Sequence, residues 1–81
     1  MEPKEAFKQT LVEIKGIDGG VSYRTLIDRY EQLAYRSMES DRKRLRVKFG
    51  QWLQAYANNH PDRIKIIRSY NLSIMPNVMV V

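Results

Sequence analysis

Apolar residues near the start of the chain recur with the spacing of an amphipathic helix. Phe7, Leu11 and Ile14 lie at positions i, i+4 and i+7, which places them on one helical face. Pro3 suits the first turn of a helix, and Gly16 is typical of the residue that follows a helix end. We therefore predict helix 1 over residues 3–15, with a tight glycine turn over residues 17–21. Val21 could form a strand of one or two residues.

A second helical pattern starts at Ser22, a residue well suited to cap a helix N-terminus. The pattern predicts helix 2 up to about residue 35, with its apolar face formed by Leu26, Ile27, Tyr30, Leu33 and Ala34. We expect four polar residues of this helix to face solvent, namely Arg24, Asp28, Glu31 and Gln32. Residues 36–39 then form a short break.

The best helical pattern in the chain covers residues 40–56, SDRKRLRVKFGQWLQAY, and predicts helix 3. Leu45, Phe49, Trp52, Leu53 and Tyr56 share one face of this helix, and the remaining positions carry a dense set of basic and amide side chains. Gly50 falls on the polar side, where a close backbone approach to a partner or simple tolerance would explain it equally well. Pro61 ends the helix.

The character of the chain changes after Pro61. Residues 63–68, RIKIIR, are rich in β-branched residues and favour a strand, although Pro61 and Asp62 could instead start a fourth helix. We predict turns at residues 69–71 and 75–77, an extended segment at residues 72–74 and a strand over residues 78–81. The predicted core consists of Phe7, Leu11, Ile14, Leu26, Ile27, Tyr30, Leu33, Leu45, Phe49, Trp52, Leu53, Tyr56, Ile64, Ile66, Val78 and Val80.

Length and composition indicate one soluble globular domain over residues 1–81, and the predicted helices and strands together make its fold class α+β. Apolar residues make up 43% of the 81 positions and charged residues 28%, which is typical of a globular domain rather than a disordered chain. There is no cysteine, and the apolar runs are too short to span a membrane. The first residues are charged and lack the apolar centre of a signal peptide, so we expect an intracellular protein, cytoplasmic or nuclear.

The net charge of +5 is unevenly distributed. Residues 1–35 carry five basic and six acidic residues, whereas residues 36–68 carry nine basic and three acidic residues. Such asymmetry is typical of a surface for nucleic acid or another acidic partner, and it is also compatible with a plain solvated face.

No residue pattern supports catalysis, a metal site or a cofactor. His60 is the only histidine and has no ligand-spaced partner, and the serines lack the neighbours that activate a nucleophile. We therefore expect a binding domain and not an enzyme.

The order helix, short strand, helix, turn, helix, hairpin resembles the winged helix-turn-helix superfamily. The segment Gly19-Gly20-Val21, followed by Arg29-Tyr30, is also similar to the LOTUS group of winged helices, whose members bind RNA or a protein. The superfamily resemblance implies a three-helix domain with a C-terminal β-hairpin wing. It also implies that the third helix enters the major groove of DNA while the wing touches the backbone or the minor groove.

Carried onto this chain, the resemblance implies that helix 3 and the wing bind double-stranded DNA, within a transcriptional regulator or a DNA-processing complex. Arg46 and Lys48 would contact phosphates, and base edges would be reached by Lys43, Arg44 and Gln51. The remaining contacts would come from Val47 on the helix and from Arg68, Tyr70 and Asn71 on the wing. Two alternatives remain open: an interaction module for an acidic protein and an RNA-binding domain. Membership of a larger complex or a homodimer is compatible with each.

Overall fold

The computed structural model describes residues 1–34, 39–68 and 75–81, and of residues 39–41 it describes the backbone only. Over these residues the chain forms an α+β arrangement of three helices and one antiparallel sheet. In chain order the elements are α1 (Pro3–Ile14), β1 (Val21–Ser22), α2 (Tyr23–Ala34), α3 (Glu39–Asn59), β2 (Ile64–Ile67) and β3 (Asn77–Val80). The three predicted helices are confirmed, and the segment after Pro61 is a strand rather than a fourth helix.

Local interactions explain where the helices begin and end. Pro3 occupies the first turn of α1, where a missing backbone N–H costs nothing. The backbone N–H of Thr25 donates to Ser22 Oγ at 3.2 Å, which confirms Ser22 as the cap of α2. At the other end of α3, the backbone N–H of His60 still donates to the carbonyl of Tyr56 at 2.8 Å, and Pro61 then stops the helix.

Strand β3 lies at the centre of the sheet, with β1 on one side and β2 on the other. Ile66 pairs with Val78 and Ile64 with Val80, while Val21 pairs with Val78 from the opposite edge. Alternation along β2 turns Ile64 and Ile66 towards the helices, whereas Lys65 and Ile67 face solvent. The backbone N–H of Gly16 also donates to the Val80 carbonyl at 2.9 Å, which ties the end of α1 to the same central strand.

Gly20 lies at the end of the loop between α1 and β1, next to the backbone of β3. Its φ angle is +78°, and a Cβ atom built at this position would lie 2.6 Å from the carbonyl oxygen of Val78. Real Cβ atoms do not approach backbone oxygen so closely, so the loop can pass this close to the strand only with glycine.

The aromatic ring of Phe49, fully buried, is the centre of the core. Its centroid lies 4.8 Å from that of Tyr30, 5.5 Å from that of Phe7 and 5.8 Å from that of Tyr23. Rings at such distances and tilts add attraction beyond their buried area. Rings from α1 and α2 thus meet on Phe49 of α3. These contacts fix how α3 is rotated about its axis.

The predicted core is largely confirmed. Eleven of the predicted residues are buried, and the other five are partly buried and pack against them, namely Leu33, Leu45, Trp52, Tyr56 and Ile66. Three buried residues of small size are additional: Ala6, Thr10 and Ala34. Thr10 is accommodated because its hydroxyl donates to the Ala6 carbonyl at 2.7 Å within α1.

Several predictions fall on segments that lie outside the described residues. These are most of the break at residues 36–39, the turn at residues 69–71 and the extended segment at residues 72–74. In the described part of the chain, Met75 and Pro76 belong to no helix or strand, and Asn77 is already the first residue of β3. Among the helices described, none combines the length and the apolar character that a membrane crossing requires.

Candidate nucleic-acid interface

The outward face of α3 carries five of the predicted contact residues. All five are exposed, and they form a contiguous surface at helical spacing: Lys43, Arg44, Val47, Lys48 and Gln51. Val47 is 54% exposed and is the apolar member of the set. We call these five residues the outer face of α3.

The opposite side of α3 is held by the core. Phe49 and Leu53 are buried, and Trp52 and Tyr56 pack edge-on against Phe7 of α1, with centroids at 5.9 and 6.4 Å. Since one side of the helix is fixed in this way, the outer face cannot rotate inwards without losing these contacts. The sequence prediction of a helix that is apolar on one side and basic on the other is confirmed.

Arg46 differs from the other predicted contact residues because it is paired within the chain. Its Nε donates to Oε1 of Glu31 on α2, and Arg42 Nε donates to the other carboxylate oxygen at 2.9 Å. The prediction that Glu31 faces solvent is wrong, since Glu31 is only 9% exposed. Glu31 occupies a position of the buried stripe, four residues after Ile27 and three before Ala34, and two arginines of the next helix compensate its charge.

The electrostatics of this cluster favour the ionised carboxylate. Burial raises the pKa of Glu31, but hydrogen bonds from Arg46 and Arg42 and their positive charges outweigh that effect, so the pKa is lowered from the ordinary value of 4.5. The hydrogen bond to Glu31 in turn raises the pKa of Arg46, with a smaller contribution from the charge of Asp28. Near neutral pH the cluster therefore contains one carboxylate between two guanidinium groups. We call Glu31, Arg42 and Arg46 the Glu31 cluster.

The structure corrects the interpretation of Gly50. A Cβ atom at this position would lie 3.2 Å from the hydroxyl oxygen of Tyr23 at the start of α2. The close neighbour of Gly50 is thus a side chain of the same molecule, and no external partner is needed to explain this glycine.

The remaining predicted residues lie on other elements. Arg68 directly follows β2 and is exposed, and no described hydrogen bond or ion pair links it to α3. Tyr70 and Asn71 lie outside the described residues. Arg29, part of the LOTUS-like segment, binds Glu13 of α1 through two hydrogen bonds of 2.8 and 3.0 Å and so joins α1 to α2.

The outer face of α3 presents positive charges, one amide and one apolar side chain. Over residues 1–34, 39–68 and 75–81 there is no group of three or more histidine or acidic side chains arranged to hold a metal ion. Comparison of the chain with known protein families, with curated proteins and with solved structures finds no match.

Proposed function

We propose that this chain is a winged-helix-like domain that binds double-stranded DNA through the outer face of α3. The observation that carries the proposal is the set of three exposed cations on this face, Lys43, Arg44 and Lys48, which form no ion pair with any described residue. Polyanions bind such a surface by releasing condensed counterions, which makes affinity depend steeply on salt.

The fold is compatible with this docking. Three helices, a short strand between the first two and a final antiparallel pair of strands follow the winged-helix order. With 21 residues, α3 is about 31 Å long, and a helix of ordinary diameter fits the major groove of B-DNA. Phe49 and Leu53 are buried in the core, so the outer face would meet such a groove as a rigid surface.

The side chains on the outer face suit different parts of the duplex. Lys48 lies at the edge of the face and would contact a phosphate, whereas Arg44 and Gln51 lie near its centre. Arginine pairs well with guanine and glutamine with adenine in the major groove, and an apolar side chain such as Val47 can contact a thymine methyl group. The wing would add backbone contacts through Arg68.

Binding to a labelled random-sequence duplex, measured by fluorescence anisotropy over a salt series, tests the proposal. On a random-sequence duplex no particular base is read, so all three cations are free to neutralise phosphates. Each should then contribute about −0.9 to the slope of log affinity against log salt, and the outer face alone predicts a slope near −2.7. The triple variant K43Q/R44Q/K48Q should lose most of this slope and most of the affinity.

A matched control has the same loss of charge elsewhere. The variant K4Q/K8Q/K15Q removes three exposed lysines from α1 and the residue after it, so its net charge equals that of the outer-face variant. We expect the control to keep the slope of the wild-type protein. If both variants behave alike, or if neither changes binding, the outer face is not the DNA surface.

The same titration with duplex RNA and with single strands decides between nucleic acids. Preference for RNA would replace the DNA assignment, and absence of binding to any of them at low salt would refute it altogether. In the last case, binding of the wild-type protein but not the triple variant to an acidic peptide would assign the outer face to a protein partner.

A further inference from the structure

We infer that Glu31 withholds Arg42 and Arg46 from the DNA surface and so limits the phosphate contacts of α3 to Lys43, Arg44 and Lys48. This inference rests on the proposed function and sets the extent of the same site. It also reverses the role expected for Arg46 from the sequence, since that arginine is assigned here to the carboxylate and not to a phosphate.

Four of the five basic residues of α3 fall into two rows on different sides of the helix, and Lys43 belongs to neither row. Arg42 and Arg46 are four residues apart and lie on the side that faces α2, where Glu31 is located. Arg44 and Lys48 are also four residues apart, but a step of about 100° per residue places them on the side away from Glu31. Only the second row is free of acidic neighbours among the described contacts.

The geometry of the Glu31 cluster favours the Glu31 carboxylate over a DNA phosphate as the partner of the two arginines. Both carboxylate oxygens are used, one by each arginine, and the carboxylate side chain is only 11% exposed. Water and salt screen a partly buried pair less than they screen a phosphate contact at the surface. The arginines themselves are about half exposed, so their assignment depends on Glu31 rather than on burial.

The charge balance leads to a distinct expectation for salt dependence. One carboxylate compensates only one of the two guanidinium groups, so the Glu31 cluster keeps a net charge of +1. Both guanidinium groups are nevertheless bonded to Glu31 on the side of α3 that faces α2, away from the duplex, so Arg42 and Arg46 should add little to the slope. Without Glu31, both guanidinium groups could turn to the duplex and enlarge the site.

A matched pair of arginine variants on the same helix tests this with random-sequence duplex. R44Q should make the slope shallower by about 0.9, whereas R42Q, two residues away and with the same charge change, should leave it unchanged. Glu31 keeps Arg46 as a partner in R42Q, so the packing of α2 on α3 is retained.

A second pair of variants changes the carboxylate. E31Q should make the slope steeper by about one to two units, because two arginines are released. E13Q has the same charge change but frees Arg29 between α1 and α2, and it should leave the slope unchanged. Thermal melting of all four variants shows whether each is folded at the temperature of the titrations.

The outcomes separate the inference from the proposed function. If R42Q makes the salt slope as shallow as R44Q does, or if folded E31Q has the wild-type slope, the inference is overturned while DNA binding stands. If the wild-type protein shows no salt-dependent binding to duplex DNA, the proposed function fails and the inference fails with it.

Discussion

Replacement of Gly20 by alanine should destabilise this protein far more than the same replacement at Gly19, one residue earlier. Both glycines have φ angles near +80°, at +79° and +78°. At Gly19 a Cβ atom would meet nothing within 4 Å, whereas at Gly20 it would lie 2.6 Å from the Val78 carbonyl oxygen and 2.9 Å from its carbon. The pair therefore separates the cost of the backbone angle from the cost of the collision.

The magnitude follows from two contributions. The left-handed conformation destabilises an alanine by about 1–2 kcal/mol. Alanine also lowers the conformational entropy of the unfolded chain, which offsets about 0.4–1 kcal/mol of this cost. G19A should therefore lose about 1 kcal/mol of unfolding free energy. In G20A the obstacle is the backbone of the central strand, which is hydrogen-bonded on both sides and cannot move as a flexible side chain can. Overpacking of this kind adds about 1–3 kcal/mol. G20A should thus lose roughly 2–4 kcal/mol in total.

Urea and thermal unfolding, followed by the fluorescence of Trp52 and by far-ultraviolet circular dichroism, measure this difference. At this chain length each kcal/mol shifts the melting temperature by about 4–8 °C, so G20A should melt at least ~4 °C below G19A. Equal midpoints for the two variants would refute the contact between the loop and β3.

Three further predictions concern the helices. G50A should be neutral or should stabilise the protein by up to about 1 kcal/mol, because alanine favours the helix and only the Tyr23 hydroxyl must move. In a Y23F background, where that hydroxyl is absent, the full gain in unfolding free energy should appear. A large loss of unfolding free energy in chemical denaturation would contradict this. W52A should cost about 3 kcal/mol by circular dichroism, and a variant as stable as the wild type would remove Trp52 from the packing. Since the pKa of Glu31 is lowered on folding, its contribution to stability is complete above pH 4.5 and is lost as pH falls through the lower pKa of the folded state. E31Q should therefore lose less stability than the wild type when the pH is lowered from 4.5, and equal losses in urea unfolding would exclude this role.

Elements and core could be predicted because the signals lie within each segment. The stripe of Phe7, Leu11 and Ile14 defines α1 without reference to the rest of the chain, and Ser22 and Pro61 mark the ends of helices through their own chemistry. The alternation in β2 is equally local. These patterns give the composition of each face but not the identity of its neighbour.

The candidate site could be predicted only in part for that reason. The exposure of the outer face of α3 follows from its own periodicity, and it is confirmed for Lys43, Arg44 and Lys48. The partners of Arg46 and Gly50 come from α2, whose placement depends on tertiary packing. A carboxylate at a stripe position, such as Glu31, was the available signal for a buried ion pair, but the pattern could not specify its partners.

The central position of β3 has a consequence for how this chain folds. Strands β1 and β2 do not pair with each other, so the sheet forms only when β3 joins them. Val21 pairs with Val78, which lies 57 positions later in the chain. Helix formation is local and fast, whereas closing a loop of this length costs entropy before any strand contact compensates it. We therefore expect the helices to form only transiently until β3 docks, and we expect that docking to be the step that makes folding cooperative.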